Sequence, residues 1–557
     1  MGKKNLLICW LILIFALGAF LRFWHLGANP PSLTWDEAAW GYNAYSLGIT
    51  GRDEFGRFLP LNYLESFGDF KPPVYAYLTV LPVKIFGLNE FAVRFASAFF
   101  GVLTVLLAYF LVKELFKNTS PRGCILGLIV SFLLAISPWH IMLSRAAFEA
   151  NVASFFIVAG VVSFLLGVGR KDWFLVLSAI CFALSLQTFN TARIISPLLV
   201  LVLVFAFRRQ LWLKKKWLIL AGGVGLAIIL PALSFYFTPQ ARLRFKEVNI
   251  FSDAAVIEIA NQEMENDNWA WWSRIIHNRR WGYTREFFHH YFDHFNPDFL
   301  FIKGDGNPKF STQDVGLFYL WEVPFFLGGI FLLFRRRVGY WWLVVFWLLL
   351  GIVPAATARE TPHALRIETT LPTWQIFTAF GLVEFWQLVK RQKKLINYGL
   401  RIISWGLIII GFVYFQHGYW RHYPAEFSGE WQYGYKEAVD FVKSVENNYD
   451  RVYFTDALGR PYIYFLFYLQ KNPQEFWQEA EVERDAYGFV KVRSFGQYRF
   501  FNIERKPVLE AGLLVIDLPQ NLPQSVKKIQ GFNLLNGKEI LVAYEKADEQ
   551  PGVESED

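Results

Sequence analysis

The sequence predicts a polytopic α-helical membrane protein that ends in a small α/β domain. Eleven apolar stretches support this prediction, and most are near the roughly 20 residues that a bilayer crossing needs. The 557 residues are 54% hydrophobic and 19% aromatic, more than a soluble core of this length requires. The predicted spans cover about 6–20, 92–116, 122–141, 149–168, 172–189, 193–207, 216–238, 316–334, 339–357, 370–390 and 398–416.

Basic residues cluster at alternate connections between these spans. Short cytoplasmic loops carry an excess of Lys and Arg, so the pattern predicts a cytoplasmic N-terminus. Arg279-Arg280, in a long loop on the other side, is the main exception. Topology and anionic lipid headgroups explain the net charge of +8, and no nucleic-acid partner is predicted. The clusters are Lys3-Lys4, Lys113 with Lys117 and Arg122, Arg170-Lys171, Arg208-Arg209 with Lys214–Lys216, Arg335–Arg337, and Lys390–Lys394 with Arg401.

Two long loops are expected on the outer side of the membrane: the first loop, residues 23–91, and the second loop, residues 239–315. Within the first loop, Val74–Phe86 is apolar but short and contains Pro82, which favours a helix along the membrane surface over a crossing. The second loop is rich in aromatic residues and His, which suits the membrane interface.

The first span is expected to stay as an uncleaved anchor. Arg22-Phe23-Trp24 follows it in place of a small-residue cleavage site. The three cysteines, Cys9, Cys124 and Cys181, all lie in predicted spans. The loops and the C-terminal region are therefore expected to hold no disulfide.

The C-terminal region has a different pattern from the rest of the chain. Residues 1–420 are expected to form the membrane domain, 421–548 an extracytoplasmic α/β domain (the tail domain), and 549–557 a disordered acidic tip. Helical spacing of apolar residues and short β-rich runs predict the α/β class. The helical positions are Ala438, Val439, Phe441, Val442 and Val445, and the β-rich runs are Arg451–Thr455, Phe489–Ser494, Leu513–Ile516 and Glu539–Tyr544.

Asp36 and Glu37 are adjacent carboxylates near the start of the first loop. Such a pair can act as a general base, position a hydroxyl or bind a cation. The spacing also fits a capping box, with Thr34 as N-cap, Glu37 three positions later, and a helix over 35–47. The two interpretations are compatible, because a capped helix would hold Asp36 rigidly.

Lys71 lies later in the same loop, in Gly68-Asp69-Phe70-Lys71-Pro72-Pro73. The proline that follows it favours an extended backbone at Lys71. An ammonium group held in this way would suit an anionic phosphate. The alternative is a loop lysine whose stem lies along apolar surface at the headgroup level.

Together these motifs resemble the C-type glycosyltransferases, within the branch of protein O-mannosyltransferases and aminoarabinose transferases. The resemblance covers roughly residues 1–420. It rests on Asp36-Glu37 after the first span, Lys71-Pro72-Pro73, and Phe86–Arg94 at the second span. Further similarities are Ser144-Arg145 with Glu149, His294–Phe301 followed by Gly304-Asp305-Gly306-Asn307, and His363-Ala364-Leu365-Arg366.

The resemblance implies the C-type glycosyltransferase architecture and transfer of a sugar from a polyprenyl-phosphate donor to an acceptor hydroxyl. Asp36 would be the catalytic base, and Lys71 would contact the carrier phosphate. Relatives of the aminoarabinose type carry an acid directly before that lysine, whereas this chain has Phe70 there. Asp69, one position earlier, is the candidate substitute and is placed among the substrate-binding residues. Mannose is the sugar that the family favours.

Further candidates lie at the outer ends of the predicted spans. A developing phosphate charge is stabilised by positioned cations, so Arg145, His363 and Arg366 are predicted to bind the donor phosphate. Interfacial anchoring is the alternative for each arginine, and Arg145 and Glu149 have the spacing of a structural ion pair. Glu37 is predicted to belong to the catalytic pair, where it orients Asp36 or binds sugar hydroxyls. The substrate-binding residues are predicted to be Asp69, Glu149, Asp298 and Asp305, the last two with turn capping as the alternative.

No cofactor or metal is predicted to be required. His290 and His294 have the i, i+4 spacing of a helical metal pair, but a third protein ligand is not evident. A divalent cation therefore lacks support in the sequence. A single inverting displacement needs one carboxylate base, because the leaving phosphate needs no proton.

Topology gives a separate argument for a lipid-borne donor. Nucleotide sugars are made in the cytosol, whereas the candidate residues face outward. The predicted partners are therefore a polyprenyl-phosphate sugar, an acceptor protein, lipid or glycan, and the plasma membrane. The competing functions are a polyprenyl-lipid transporter or flippase and a scaffold for the tail domain. A transporter would place ionisable residues in the middle of spans, and these spans keep them near their ends.

Overall fold

The computed structural model of the chain describes residues 3–117, 122–238, 241, 249–484 and 489–547. The predicted acidic tip, 549–557, lies outside these residues. The described part is mainly helical. The α-helices are Lys3–Phe23, Trp35–Thr50, Val74–Phe86, Glu90–Leu115, Arg122–Ile136, Pro138–Arg145, Glu149–Gly169, Phe174–Leu186, Ala192–Ala206, Arg208–Trp212, Lys215–Tyr236, Ala254–Asn266, Ser273–Ile276, Arg279–Asp293, Val323–Arg336, Trp341–Ala356, Thr373–Lys390, Lys394–His417, Tyr423–Phe427, Tyr435–Val445, Tyr462–Tyr468 and Pro473–Glu479.

Every predicted span contains a helix, but the count of eleven crossings is not confirmed. Within the described residues, five helices are long and apolar enough to cross a membrane, or six if one bent pair forms a single span. Three other predicted spans hold shorter apolar helices, Phe174–Leu186, Ala192–Ala206 and Trp341–Ala356. Val74–Phe86, which is expected at the membrane surface, is a shorter apolar helix as well. The five are Asn5–Phe23, Glu90–Leu115, Glu149–Gly169, Lys215–Phe235 and Lys394–Phe427.

The bent pair corrects the prediction of one continuous span over 122–141. The helix breaks at Ser137, and its two parts differ in direction by 58°. Pro138 has no N–H to continue the helix, and the Ser137 side chain caps the second part by accepting from the His140 N–H. Arg22 donates to the carbonyls of Leu134 and Ala135, both at 3.1 Å, and so satisfies groups that the break leaves open.

The first loop contains the elements that position the candidate site. The predicted capping box of Thr34 and Glu37 is confirmed, and the helix that it opens, Trp35–Thr50, extends slightly beyond the predicted end. An antiparallel hairpin follows, with strands β1 (Leu64–Ser66) and β2 (Asp69–Lys71). Lys71 is the last residue of this hairpin, and two prolines separate it from the Val74–Phe86 helix.

The tail domain is a seven-stranded sheet with helices, as its pattern predicted. The strands are β3 (Arg451–Thr455), β4 (Glu481–Arg484), β5 (Val490–Phe495), β6 (Tyr498–Phe501), β7 (Leu513–Asp517), β8 (Val526–Asn533) and β9 (Glu539–Lys546). Their spatial order is β4-β5-β6-β3-β7-β9-β8, and the central strand β3 runs parallel to both neighbours. The predicted helix and the four predicted strand regions are confirmed, with small shifts at their ends.

The tail domain packs directly on the first loop. Buried side chains of the Trp35–Thr50 helix, the Tyr462–Tyr468 helix and the sheet form one hydrophobic core. Hydrogen bonds cross the same boundary: the Val490 N–H donates to the Phe67 carbonyl at 3.1 Å, and the Tyr464 hydroxyl donates to the Leu33 carbonyl at 3.1 Å. The tail domain therefore contributes to the position of the segment that carries Asp36.

Glu54 is buried at the boundary between the first loop and the tail domain. Its titration makes the stability of the folded chain depend on pH. It accepts hydrogen bonds from Tyr462 (2.6 Å), Asn43 (3.0 Å) and Ser66 (3.1 Å). Burial raises the pKa of Glu54 from its ordinary 4.5 to about 7, although the three hydrogen bonds oppose the rise. Burial likewise raises the pKa of Asp53 to about 6.

Folding stability is therefore expected to fall as the pH rises. A carboxyl group whose pKa is higher in the folded chain contributes stability at low pH, and this contribution is lost as the pH rises through the folded-state pKa. We expect the thermal unfolding midpoint to fall between about pH 5 and pH 8, and Glu54→Gln to make that slope shallower by removing one of the groups that contribute to it. The exposed control Glu510→Gln should keep it. Equal slopes for wild type and Glu54→Gln would contradict this assignment.

Candidate active site

Asp36 and Lys71 form an ion pair in the first loop. Asp36 stands in the first turn of its capped helix, and the Lys71 ammonium donates to its Oδ1. Half of the Asp36 side chain is exposed (53%), whereas only 10% of the Lys71 side chain is. The Lys71 Nζ lies 5.1 Å from the Trp40 ring centroid and 5.6 Å from that of Phe67. An accessible carboxylate is thus held beside a cation that two aromatic rings confine.

Glu37 has a different environment from its neighbour. It is 1% exposed, and both of its oxygens accept two hydrogen bonds each. Oε1 accepts from Arg94 Nε and from the Ala147 N–H, both at 2.9 Å. Oε2 accepts from Arg94 Nη2 (3.2 Å) and from the Thr34 N–H (3.0 Å). These contacts suit a residue that holds Asp36 in position, which is one of the two roles that the sequence predicts for Glu37.

Arg94 fastens the segment before Asp36 to the membrane domain. It is completely buried in the Glu90–Leu115 helix. Besides its two contacts to Glu37, it donates to the carbonyls of Leu26 (3.3 Å), Pro30 (2.7 Å) and Ser32. The final arginine of the Phe86–Arg94 motif thus has a structural role, because it holds the segment of chain that leads to Asp36.

Arg145 is a second buried arginine, and its contacts are those of a structural residue, whereas the sequence predicts it at the donor phosphate. The side chain is 0% exposed, and all five of its N–H donors are used. Nε donates to the Tyr419 hydroxyl at 3.1 Å. The other four donate at 2.7–3.3 Å to backbone carbonyls at the end of the first helix and just after it, those of Leu21, Arg22, His25 and Asn29. The possible ion pair with Glu149 is likewise replaced by these contacts.

Glu149 and Asp69 are brought to the same place as the ion pair. The Glu149 carboxylate is close enough to interact electrostatically with Lys71, Asp36 and Asp69. Asp69 Oδ1 also accepts from the Phe70 N–H at 2.9 Å, which fixes the hairpin strand. Lys71, Asp36 and Asp69 therefore all lie within electrostatic range of Glu149, and carboxylate oxygens accept hydrogen bonds from hydroxyl groups.

Asp305 connects the second loop to the segment before the Thr373–Lys390 helix. Its carboxylate accepts from the backbone N–H groups of Ala364 (2.6 Å) and Asn307 (2.8 Å). Burial raises the pKa of Asp305 to about 6, against the effect of those two bonds. Its first role in the structure is therefore to hold the 363–366 motif in place.

His363 and Arg366 belong to this connection. Burial and the nearby Arg366 hold the pKa of His363 well below its usual value. This lowered pKa favours the neutral imidazole, which would contact the donor phosphate predicted for His363 as a hydrogen-bond donor rather than as a cation. Arg366 donates to the Glu360 carbonyl at 2.9 Å and keeps 20% of its side chain exposed.

Two cations that the sequence motifs do not include lie over the ring of Trp35, the residue before Asp36. Lys309 of the second loop lies 5.7 Å from the Trp35 ring centroid, and Arg460 of the tail domain lies 5.5 Å from it. Phe310, next to Lys309, contacts the His363 ring at 5.0 Å between centroids. The first loop, the second loop and the tail domain therefore meet around Asp36.

Comparisons with known proteins agree with this architecture. Residues 70–235 match the sequence model of the family of dolichyl-phosphate-mannose-protein mannosyltransferases. An uncharacterized protein of Aquifex aeolicus (strain VF5) is 31% identical over 203 residues, which are 35% of this chain and 36% of that protein. The chain thus aligns with about a third of this relative's length.

Solved structures extend the similarity to nearly the whole chain. ArnT from Cupriavidus metallidurans in the apo state matches with a TM-score of 0.51 at 12% identity, over 97% of this chain and 98% of that one. The chain has the C-type glycosyltransferase fold. An oligosaccharyltransferase from Archaeoglobus fulgidus matches with a TM-score of 0.52 at 14% identity, over 84% of this chain and 64% of that one. The predicted C-type glycosyltransferase architecture is thus confirmed at the level of the fold, and the chain is a multi-pass membrane protein.

Within the C-type glycosyltransferase fold, the family match includes Lys71, Arg94, Arg145 and Glu149 but begins after Asp36. The inclusion of Asp36 in the candidate active site therefore depends on its position in the first loop and on its contact with Lys71.

Asp298, predicted to bind substrate, makes local contacts. The Asp298 Oδ2 lies 3.7 Å from the Lys303 Nζ, and the Asp298 carbonyl accepts a hydrogen bond from the Lys303 N–H at 2.8 Å. These contacts close the turn that leads to Asp305, which corresponds to the capping alternative.

The histidines of the second loop do not form the metal pair that their spacing suggested. His294 Nδ1 donates to the His290 carbonyl at 2.8 Å, and its Nε2 accepts from the His363 N–H at 3.3 Å. Among the residues that the structure describes, the one group arranged for a metal is Glu286, His289 and His290 on the Arg279–Asp293 helix.

Proposed function

We propose that the chain is a membrane glycosyltransferase that moves a sugar from a polyprenyl-phosphate carrier to an acceptor hydroxyl. The observation that supports this most is the Asp36–Lys71 pair, in which a half-exposed carboxylate touches a confined ammonium group. A related fold gives further support, because ArnT from Cupriavidus metallidurans was also solved bound to undecaprenyl phosphate, and that structure matches with a TM-score of 0.51 at 11% identity. Mannose is the favoured sugar, from the name of the matching family.

In the proposed reaction, the acceptor oxygen attacks the anomeric carbon while Asp36 takes the hydroxyl proton. The bond from the anomeric carbon to the phosphate oxygen breaks, and the polyprenyl phosphate leaves with the electron pair. The leaving group gains negative charge that Lys71 stabilises. A single displacement inverts the anomeric centre.

Lys71 has a second effect in this proposal. While it pairs with Asp36, it favours the ionised carboxylate and blocks one of its oxygens. A donor phosphate would compete for the same ammonium group and draw it from Asp36. The Oδ1 that Lys71 occupies would then accept the proton when the donor is bound, and this limits activation of water when the donor is absent.

The proposed site faces the extracytoplasmic side of the plasma membrane. The predicted orientation places the first loop opposite the basic clusters. Glu149, Asp69 and Asp305 are proposed to bind sugar hydroxyls or shape their pocket, and Arg366 to assist at the phosphate. The acceptor is a hydroxyl of a protein, a lipid or a glycan.

Purified protein incubated with radiolabelled mannosyl-phosphoryl-undecaprenol tests this function. The proposal predicts release of free undecaprenyl phosphate, with the label moved to an added acceptor or to water. Movement of the intact lipid between leaflets without cleavage would instead support a transporter. Absence of cleavage with a panel of polyprenyl-phosphate hexoses and pentoses would contradict the proposal.

A further inference from the structure

A cleft of about 410 Å³ lies between the tail domain and the tip of the first-loop hairpin. Among the residues that the structure describes, Phe67 lines the cleft from the first loop, and the other lining residues belong to the tail domain. The charged residues of this described lining are Arg460, Lys491, Arg493 and Asp456. Arg493 is paired with Glu483 at 2.5 Å. Two cations then remain against one acid, so the cleft attracts anions.

Arg460 connects this cleft with the candidate active site. Its guanidinium lies 4.1 Å from the Phe67 ring centroid, and the Lys71 ammonium lies 5.6 Å from the same centroid. The two charges are thus no more than about 10 Å apart. Among the described residues Arg460 has no carboxylate partner, and its contacts are the rings of Phe67 and Trp35. A stacked guanidinium keeps its edge N–H groups available for an oxyanion.

The backbone around Arg460 is shaped to present this side chain. Arg460 has φ +51° and Gly459 has φ +88°, both in the left-handed region. The Tyr435 hydroxyl donates to the Gly459 carbonyl at 2.9 Å. A Cβ at Gly459 would come within 3.0 Å of the Trp35 ring. A non-glycine residue held in this region indicates a position whose surroundings impose its conformation, which is common at functional sites.

We propose that this cleft binds an anionic group, a phosphate or a carboxylate, of the acceptor, and that Arg460 and Lys491 are its ligands. This inference rests on the proposed function, because it assigns the second substrate of the same site. A carrier phosphate is tied to the membrane domain by its lipid. A cleft lined almost entirely by the tail domain is better placed for the substrate that arrives from solution. The tail domain would then select acceptors by charge.

Transfer to small charged and neutral sugars, each used alone as the acceptor, tests the proposal. Glucose 6-phosphate, glucuronate and glucose serve as probes, and the kinetics of transfer from mannosyl-phosphoryl-undecaprenol are measured for each. For the wild type we expect a KM at least about tenfold lower for the charged sugars than for glucose, the effect of one charge-assisted contact. Arg460→Met and Lys491→Met should each remove most of that difference and leave the KM for glucose and for the donor unchanged. Arg460→Lys should keep part of it.

Arg451→Met is the matched control, since Arg451 is an exposed arginine of the tail domain outside the cleft lining. A higher donor KM in Arg460→Met would assign Arg460 to the carrier phosphate and overturn the acceptor assignment. Equal use of charged and neutral sugars by the wild type would overturn it too, while donor cleavage would still support the proposed function. Calorimetric titration with glucose 6-phosphate decides the binding claim even if no donor is cleaved. Binding that Lys491→Met and Arg460→Lys leave unchanged would contradict it.

Discussion

Asp36→Asn is expected to lower sugar transfer by about 10²–10⁴-fold, the usual contribution of a positioned general base. Asparagine has nearly the same shape and can still accept a hydrogen bond from Lys71, but it cannot take a proton from the acceptor. The variant should therefore keep the fold, the thermal midpoint and the affinity for undecaprenyl phosphate. Release of labelled sugar from the donor measures the first effect, and binding of the free carrier measures the second.

Asp440→Asn is the control for this change, because Asp440 is an exposed acid on the Tyr435–Val445 helix of the tail domain. It should leave transfer unchanged. If Asp36→Asn transferred sugar at the wild-type rate, the base would have to be another carboxylate, and Glu149 would be the first to examine. If the variant lost carrier binding as well, Asp36 would be a binding residue in place of a base.

Breaking the Glu37–Arg94 pair is expected to have the largest effect on stability. Removal of one partner from a buried ion pair costs about 3–5 kcal/mol, because the other charge is left buried without compensation. Glu37→Gln and Arg94→Met should each lower the free energy of unfolding in detergent by about this amount. The double variant should lose less than the sum of the two, since neither charge then remains.

Glu90→Gln provides the comparison, because the Glu90–Lys436 pair at 2.8 Å is partly exposed and such pairs contribute about 0–1 kcal/mol. The same variants separate the two roles of Glu37. If Glu37 positions Asp36 without touching substrate, Glu37→Gln should lose activity in step with stability and regain most of it at low temperature. A variant of normal stability with transfer reduced as far as in Asp36→Asn would show a direct catalytic role.

Much of the fold could be predicted from local sequence patterns. Apolar length predicted where the helices of the membrane domain lie. In the tail domain, apolar spacing predicted the Tyr435–Val445 helix, and β-rich runs predicted four of the seven strands. The capping box at Thr34 and Glu37 was readable because both of its side chains act within one helical turn. These features depend on residues close together in the chain.

The number of crossings and the break at Ser137 were not predictable in the same way. A window of hydropathy does not register that Pro138 ends one hydrogen-bond ladder and begins another. It also cannot show that Arg22, more than a hundred residues earlier, supplies donors to the carbonyls left open.

In the candidate site, too, the residues with a local sequence signal could be predicted, and those brought in from distant segments could not. Asp36 and Lys71 were found because the motif order pointed to them. Arg145 was assigned to the phosphate because a conspicuous arginine at a span end looks the same whether it binds a ligand or a set of carbonyls. Lys309 and Arg460 come from distant segments, and nothing local distinguishes them from other surface cations. For Arg460 the one local signal was the preceding glycine, whose need appears only when Trp35 is seen against it.

The measurement that tests the central claim most directly is the side of the membrane on which the first loop lies. A lipid carrier is needed only if Asp36 is separated from cytosolic nucleotide sugars. Leu61 is an exposed residue of the first loop, and Leu213 is an exposed residue among the basic clusters, with 49% and 85% of their surfaces accessible. In a background without Cys9, Cys124 and Cys181, Leu61→Cys and Leu213→Cys would each be treated with a membrane-impermeant maleimide in intact cells.

The proposed function predicts that the cysteine at position 61 is labelled in intact cells and that the one at 213 is labelled only after permeabilisation. The reverse pattern would place Asp36 in the cytosol and would contradict the use of a lipid-borne donor.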